Sequence, residues 1–193
     1  AHTLFSFPLL FAGAVLAADG MPEPPVLVWI ALAGTGARTL AMALNRIIDR
    51  TIDAANPRTS DRELPAGRMS LREAWGVPAA GLLVYLAACM AMPPLCLRLS
   101  PIPVAVFVLY PYLQRFTPLA HFGSGAALAL APLGAWVAVT GTLTGSLPAM
   151  WLAAFTWLWV AGFDIIYATL DEEFDRSAGI HSLPGRLGRV PAL

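Results

Sequence analysis

Two stretches of the sequence carry acids and amides at helical spacing inside apolar surroundings. Asn45, Asp49 and Asp53 step four residues apart, which on a helix stacks them along one stripe. Asp164, Asp171 and Asp175 stand seven and four apart, within about 40° of one another on the same geometry. Like charges so close repel, so a site that keeps them is expected to hold a cation. Oxygen donors with few histidines suit magnesium, which typically takes one or two carboxylates together with substrate phosphates. Each acid pair is followed by a similar turn, Leu64-Pro65-Ala66-Gly67-Arg68 in the first case and Leu183-Pro184-Gly185-Arg186 in the second. That duplication reads as a parallel internal repeat around a pseudosymmetric site. For Asp53, Asp61, Glu63, Glu172 and Glu173 the competing reading is a solvated helix end facing arginines. Asp164 lies two turns deeper, and an alternative reading pairs it structurally with Arg38.

The elements that position these residues are expected to be membrane helices. Hydrophobic residues make up 58% of the 193, charged residues only 12%, and the mean hydropathy is +0.67. Soluble domains carry about 25% charged residues. Apolar runs near the 20 residues that cross a bilayer predict six spans: 4–18, 26–48, 74–97, 103–112, 122–143 and 149–170. Period-2 alternation, the mark of a membrane barrel, is absent. The expected fold is an all-α, polytopic transmembrane helix bundle formed by one domain over 1–193. Polar segments 49–73 and 171–193 are expected to cap it on one side. Arginines crowd the connections after spans two, four and six, and the positive-inside rule makes that side cytoplasmic, which points to a bacterial inner membrane. No lysine occurs, so every basic side chain besides histidine is an arginine, suited to forking onto phosphate or carboxylate. The net charge of zero gives no footprint for nucleic acid. Cys89 and Cys96 read as packing residues, the tryptophans as interface anchors or packing, His121 as structural, and His181 as a candidate phosphate contact.

Three separated motifs resemble the UbiA superfamily of intramembrane prenyltransferases. Asn45-Arg-Ile-Ile-Asp49-Arg-Thr-Ile-Asp53 is similar to its first motif, N-x-x-x-D-x-x-x-D. The run from Asp164 through Asp171-Glu-Glu-Phe-Asp175 is similar to the second, and Tyr110-Pro-Tyr-Leu-Gln114-Arg115-Phe-Thr to its Y-P-x-x-K-R-x-T element. Asn56-Pro-Arg-Thr, Arg62-Glu-Leu-Pro-Ala-Gly and Gly179-Ile-His-Ser look most like the 4-hydroxybenzoate polyprenyltransferases and their menaquinone-pathway relatives. The resemblance implies a bundle of usually nine spans, so a six-span chain reads as a fragment lacking its C-terminal helices.

It also implies roles. Asn45, Asp49, Asp53, Asp171 and Asp175 would hold Mg2+. Asn45, Asp53, Arg58 and Arg115 would bind the diphosphate, and Arg38 and Tyr110 the acceptor. Asp49, Asp171 and the deeper Asp164 would serve catalysis. Gln114 departs from the family's lysine and brings a donor without a charge. The implied reaction moves a polyprenyl group from an allylic diphosphate to a small aromatic acid of the 4-hydroxybenzoate type in quinone biosynthesis, with a naphthoate acceptor as the alternative. Two other classes compete. A CDP-alcohol phosphatidyltransferase would need an Asp-Gly-x-x-Ala-Arg core, which the sequence lacks. A cation transporter with paired acidic helices would place its carboxylates near the bilayer midplane.

Overall fold

The computed structural model describes residues 3–192, with side chains from residue 6 onward. The described residues form eleven helices and no strand. Six of these are the longer ones: α1 (Thr3–Ala18), α2 (Pro24–Ile48), α4 (Leu71–Ala91), α6 (Pro101–Leu113), α7 (Ala120–Thr140) and α8 (Leu147–Ala168). The short ones are α3 (Arg50–Ala55), α5 (Pro94–Leu99), α9 (Glu172–Ala178), α10 (Leu183–Leu187) and α11 (Arg189–Ala192).

The starts are written locally. Ser70 caps α4 by accepting from the Glu73 N–H while the Glu73 carboxylate accepts from the Ser70 N–H, a reciprocal box that satisfies two orphan donors. Prolines open α2, α5, α6 and α8, where their missing N–H costs nothing. Gly141 ends α7 with a left-handed φ of 70°, a conformation a Cβ disfavours.

Five segments are long and apolar enough to cross a membrane: Pro24–Ile48, Leu71–Ala91, Pro94–Leu113, Ala120–Thr140 and Leu147–Ala168, with the shorter Ser6–Ala18 beside them. This corrects two expected boundaries. The third span stops at Ala91, because Met92 precedes Pro93 and takes an extended ψ of 175°, as residues before proline do. The fourth begins at Pro94 and includes α5, with Ser100 (φ −55°, ψ −28°) carrying the chain on into α6, so the apolar run 103–112 is only its second half.

Helix α2 packs along α4, α7 along α8, and α1 against α7, while α6 joins α2 to α7. The α2–α4 crossing depends on two glycines. A Cβ on Gly36 would stand 2.6 Å from the Tyr85 nitrogen and 2.7 Å from the Gly81 oxygen, and one on Gly81 would stand 2.8 Å from the Leu40 nitrogen. Close backbone approach through small residues is the usual way membrane helices associate. The buried core joins Leu10, Ile30, Tyr85, Cys89, Cys96 and Ala135, and both cysteines are free. The outer faces show Leu83, Trp151, Phe155 and Leu158, each more than half exposed. A soluble monomer rarely displays so many large apolar side chains on its outer helix faces. Lipid accounts for them, and the chain is an integral membrane protein.

Candidate active site

Both acid motifs sit where a long helix breaks into a short one. Helix α2 ends at Ile48, and Asp49 (φ −93°, ψ 9°) joins it to α3. Helix α8 ends at Ala168, and Asp171 (φ −112°, ψ 12°) starts α9. Each junction is followed by the same bond at 2.8 Å, Asp53 N–H to the Asp49 carbonyl and Asp175 N–H to the Asp171 carbonyl. Such a bond marks the first turn of any α-helix, and the two junctions differ in how the preceding helix ends. The expectation that Asp164, Asp171 and Asp175 lie along one continuous helix face is corrected, because α8 stops between the first and the second. In the first motif the helical bonds run through the junction, with Asp49 N–H to the Asn45 carbonyl at 2.9 Å, so the spacing of four survives the break.

The two motifs meet. Asn56 Nδ2 donates to Asp171 Oδ1 at 2.9 Å and Arg58 Nε to the same oxygen at 2.8 Å, while Arg58 Nη2 pairs with Asp171 Oδ2. The loop after α3 thus grips the start of α9, across more than a hundred residues of chain. Arg62 Nη1 reaches Asp53 Oδ2 at 2.7 Å. Asn45 Nδ2 donates to Asp49 Oδ2 at 2.9 Å, and Arg115 Nη2 donates to the Ile48 carbonyl at 2.7 Å and to Asp49 Oδ1 at 3.3 Å. Gln114, the departure from the family lysine, lies near enough to the Asp49 carboxyl to favour its ionised form. His181 is exposed, and its backbone N–H donates to the Gln114 carbonyl at 2.8 Å.

Burial shapes the charges. Asp49, Asp53 and Asp175 are all buried. Desolvation pushes the Asp49 carboxyl up to about 6, against the pull of Arg115 and Gln114. It also raises Asp175, against the pull of the nearby Ser182. Burial would raise Asp171 too, but Arg58 and Asn56 together hold it below the ordinary carboxylate range. Two buried acids that water no longer stabilises are groups a cation would relieve. Among the described residues no three acids, histidines or cysteines form a ready-made cage. The carboxylates and amide present are oxygen donors of the kind magnesium takes when phosphate oxygens complete its shell.

Deeper in the bundle lies a largely apolar cavity of about 470 Å³ walled by α1, α2 and α4 to α8. Its polar lining includes Arg38, Tyr110, Ser124 and Asp164. Asn45, Asp49 and Asp171 do not line it. Arg38 donates to Ser6 Oγ at 3.0 Å rather than to Asp164, which corrects the alternative pairing. Asp164 instead meets His121 Nδ1 at 2.8 Å and Ser124 Oγ at 3.2 Å. Sequence reasoning set His121 aside as structural. The only signal for it was a histidine opening an apolar helix, and its partner lies 43 positions away.

The profile described as UbiA prenyltransferase family matches residues 6–193. The 4-hydroxybenzoate solanesyltransferase of Synechocystis sp. is 36% identical over 179 residues, covering 93% of this chain and 60% of that protein. The 4-hydroxybenzoate octaprenyltransferase of Shewanella woodyi is 32% identical over 93% of this chain and 62% of its own length. This chain therefore spans about 60% of these curated relatives. Among solved structures, the apo UbiA homolog from Aeropyrum pernix K1 superposes with a TM-score of 0.87 at 39% identity, covering 97% of this chain and 70% of that one. The UbiA homolog from Archaeoglobus fulgidus bound to DMAPP and Mg2+ shares the fold, with a TM-score of 0.73 at 22% identity over 97% and 69% of the two chains. With the family profile matched over nearly the whole chain and two bonded acid motifs at the head of a membrane helix bundle, this chain belongs to the UbiA prenyltransferase family.

Proposed function

We propose that the protein transfers a polyprenyl group from an allylic diphosphate to an aromatic acid of the 4-hydroxybenzoate type in quinone biosynthesis. The observation that carries the reading is the joining of the two acid motifs through Asn56, Arg58 and Asp171, beside a cavity lined by the cation Arg38, the phenols Tyr85 and Tyr110 and the carboxylate Asp164. The named relatives transfer solanesyl and octaprenyl groups to 4-hydroxybenzoate, and a structural neighbour holds a prenyl diphosphate with Mg2+. Membership of the family also tells against cation transport.

In this reading Asn45, Asp49, Asp53, Asp171 and Asp175 would hold magnesium, and Asn45, Asp53, Arg58 and Arg115 would bind the diphosphate. Magnesium, when bound, offsets the negative charge that develops on the leaving diphosphate. The allylic C–O bond breaks with its electron pair passing to diphosphate, a ring carbon of the acceptor forms the new C–C bond, and the ring then loses a proton to regain aromaticity. Arg38 meets the acceptor's carboxylate as a charge-assisted partner. Tyr110 presents an aromatic face to the allylic cation. Asp164 accepts a hydrogen bond from the acceptor's phenol and so enriches the ring that attacks. The apolar walls keep water from the cation. Segments 49–73 and 171–193 form the cap, on the cytoplasmic side of a bacterial inner membrane.

The test is product formation by the natural full-length protein with labelled geranyl diphosphate, offered 4-hydroxybenzoate and dihydroxynaphthoate separately. Magnesium-dependent prenylation of 4-hydroxybenzoate is expected. Transfer to the naphthoate alone would move the protein to the menaquinone-type alternative, and transfer to neither would overturn the reading.

A further inference from the structure

His121 takes no part in the proposed transfer itself, yet it bridges two parts of the site. It is buried, 5% exposed, at the first turn of α7. Its Nδ1 lies 2.8 Å from Asp164 Oδ2, and its Nε2 accepts the backbone N–H of Leu183 at 3.3 Å. Leu183 is the first residue of α10, in the segment that follows the second acid motif. That segment packs against the motif: the buried Ser182 caps α10 by accepting the Gly185 N–H at 3.1 Å, and a Cβ on Gly185 would stand 3.2 Å from the Asp175 Cβ. One imidazole therefore touches the deep carboxylate of the cavity with one nitrogen and the polar head of the bundle with the other.

The chemistry of the ring turns this contact into a coupling. A neutral imidazole carries one proton, and the nitrogen that accepts a hydrogen bond cannot be the one that bears it. With the Leu183 N–H on Nε2, the proton must sit on Nδ1, where it faces Asp164. Ser124 cannot replace this donor at full strength, because its single hydroxyl proton is divided between the His121 carbonyl at 2.8 Å and Asp164 at 3.2 Å. Were the 180–187 segment to withdraw, the Nε2–H tautomer would become available, turning a lone pair toward the carboxylate.

We propose that His121 is a positioning residue that couples docking of the 180–187 segment to the orientation of Asp164. With the segment seated, His121 donates to Asp164 Oδ2 and fixes the carboxylate with Oδ1 presented to the aromatic acceptor. With it displaced, that donor is lost. Acceptor activation is thereby tied to closure over the diphosphate, so the reactive cation and an activated ring arise together. The proposal rests on the prenyltransferase reading for its kinetic consequence, but the tautomer it assigns does not depend on that reading.

Leu183→Pro tests it cleanly. The change removes the N–H that His121 accepts, at the first helical position where proline is well tolerated. Leu183→Ala keeps the N–H and controls for the side chain. His121→Asn keeps a short donor toward Asp164 but cannot reach Leu183. In the full-length protein, side-chain 15N spectra should show His121 as the Nδ1–H tautomer in wild type and Leu183→Ala, and as a mixture or the Nε2–H form in Leu183→Pro. In turnover, Leu183→Pro should lower kcat about tenfold, the scale of one hydrogen bond to a charged group, with KM for prenyl diphosphate within about twofold of wild type. Adding Leu183→Pro to His121→Asn should cause no further loss, since the link is already cut. The Nε2–H tautomer in wild type, a Leu183→Pro protein indistinguishable from Leu183→Ala, or multiplying losses in the double variant would overturn the coupling. Absence of any prenyl transfer by wild type would refute the functional reading instead and leave the spectra to decide the tautomer.

Discussion

Asp49 gives the sharpest quantitative expectation. Its carboxyl is buried at the α2–α3 junction and held by Asn45 and Arg115, with Gln114 nearby. Burial nonetheless dominates and lifts it from 3.8 to about 6. The folded state thus binds this proton more tightly than the unfolded chain. The stability the group contributes is full below about pH 3.8 and is lost as pH rises through about 6. At about 1.4 kcal/mol per pH unit, ionised Asp49 costs the metal-free protein up to about 3 kcal/mol, and about 1–3 once partial solvent screening is allowed for. Asp49→Asn removes the titration while its amide oxygen can still accept from Arg115. The expected result is a variant without prenyl transfer that is nevertheless the more stable protein in EDTA at pH 8, with the advantage shrinking toward pH 4. Thermal unfolding of detergent-solubilised protein, followed by tryptophan fluorescence, reads this directly. Magnesium with geranyl diphosphate should raise the Tm of wild type and leave the variant unchanged. A variant no more stable than wild type at pH 8, or an advantage that does not vary with pH, would refute the argument that burial of this carboxylate is held in readiness for a cation.

Three further outcomes are expected. Gly36→Ala places a Cβ 2.6 Å from the Tyr85 nitrogen, so α2 and α4 must separate. A loss of about 1–3 kcal/mol should appear as a lowered Tm, and an unchanged Tm would mean the crossing is looser than the structure has it. Arg38→Ala should raise KM for the aromatic acid at least about tenfold, the loss of one charge-assisted bond, with KM for prenyl diphosphate unaffected; the opposite pattern would move Arg38 to the diphosphate. Gln114→Lys puts a cation on Asp49 in place of a neutral donor and should leave turnover unchanged or raised, whereas a sharp fall would give the glutamine a role of its own.

Much of the architecture was legible because bilayer crossing and helical spacing are local properties of sequence. The apolar runs of α2, α4, α7 and α8 could be read directly, as could the Asn45, Asp49 and Asp53 spacing. Boundaries set by proline were missed where one apolar run continued into the next: Met92-Pro93-Pro94 looks like the tail of one span but begins another. The break between Asp164 and Asp171 was hidden for a similar reason. Nothing in Tyr167-Ala-Thr-Leu forbids a helix, and the chain stops one at Ala168 as Asp171 turns to meet Asn56 and Arg58. Pairings across the bundle left no local trace. Arg58 with Asp171 and His121 with Asp164 are products of the fold, and Arg38, for which pairing with Asp164 was one alternative, meets Ser6 on α1.

The proposed function requires that the two acid motifs form one metal-dependent diphosphate site. Equilibrium binding of a non-hydrolysable geranyl diphosphate analogue to the full-length protein, with and without magnesium, addresses it most directly. Binding should require magnesium and be lost with Asp49→Ala and with Asp171→Ala alike, each protein remaining folded by its unfolding profile. Wild-type affinity in either variant, or binding undiminished in EDTA, would contradict the claim.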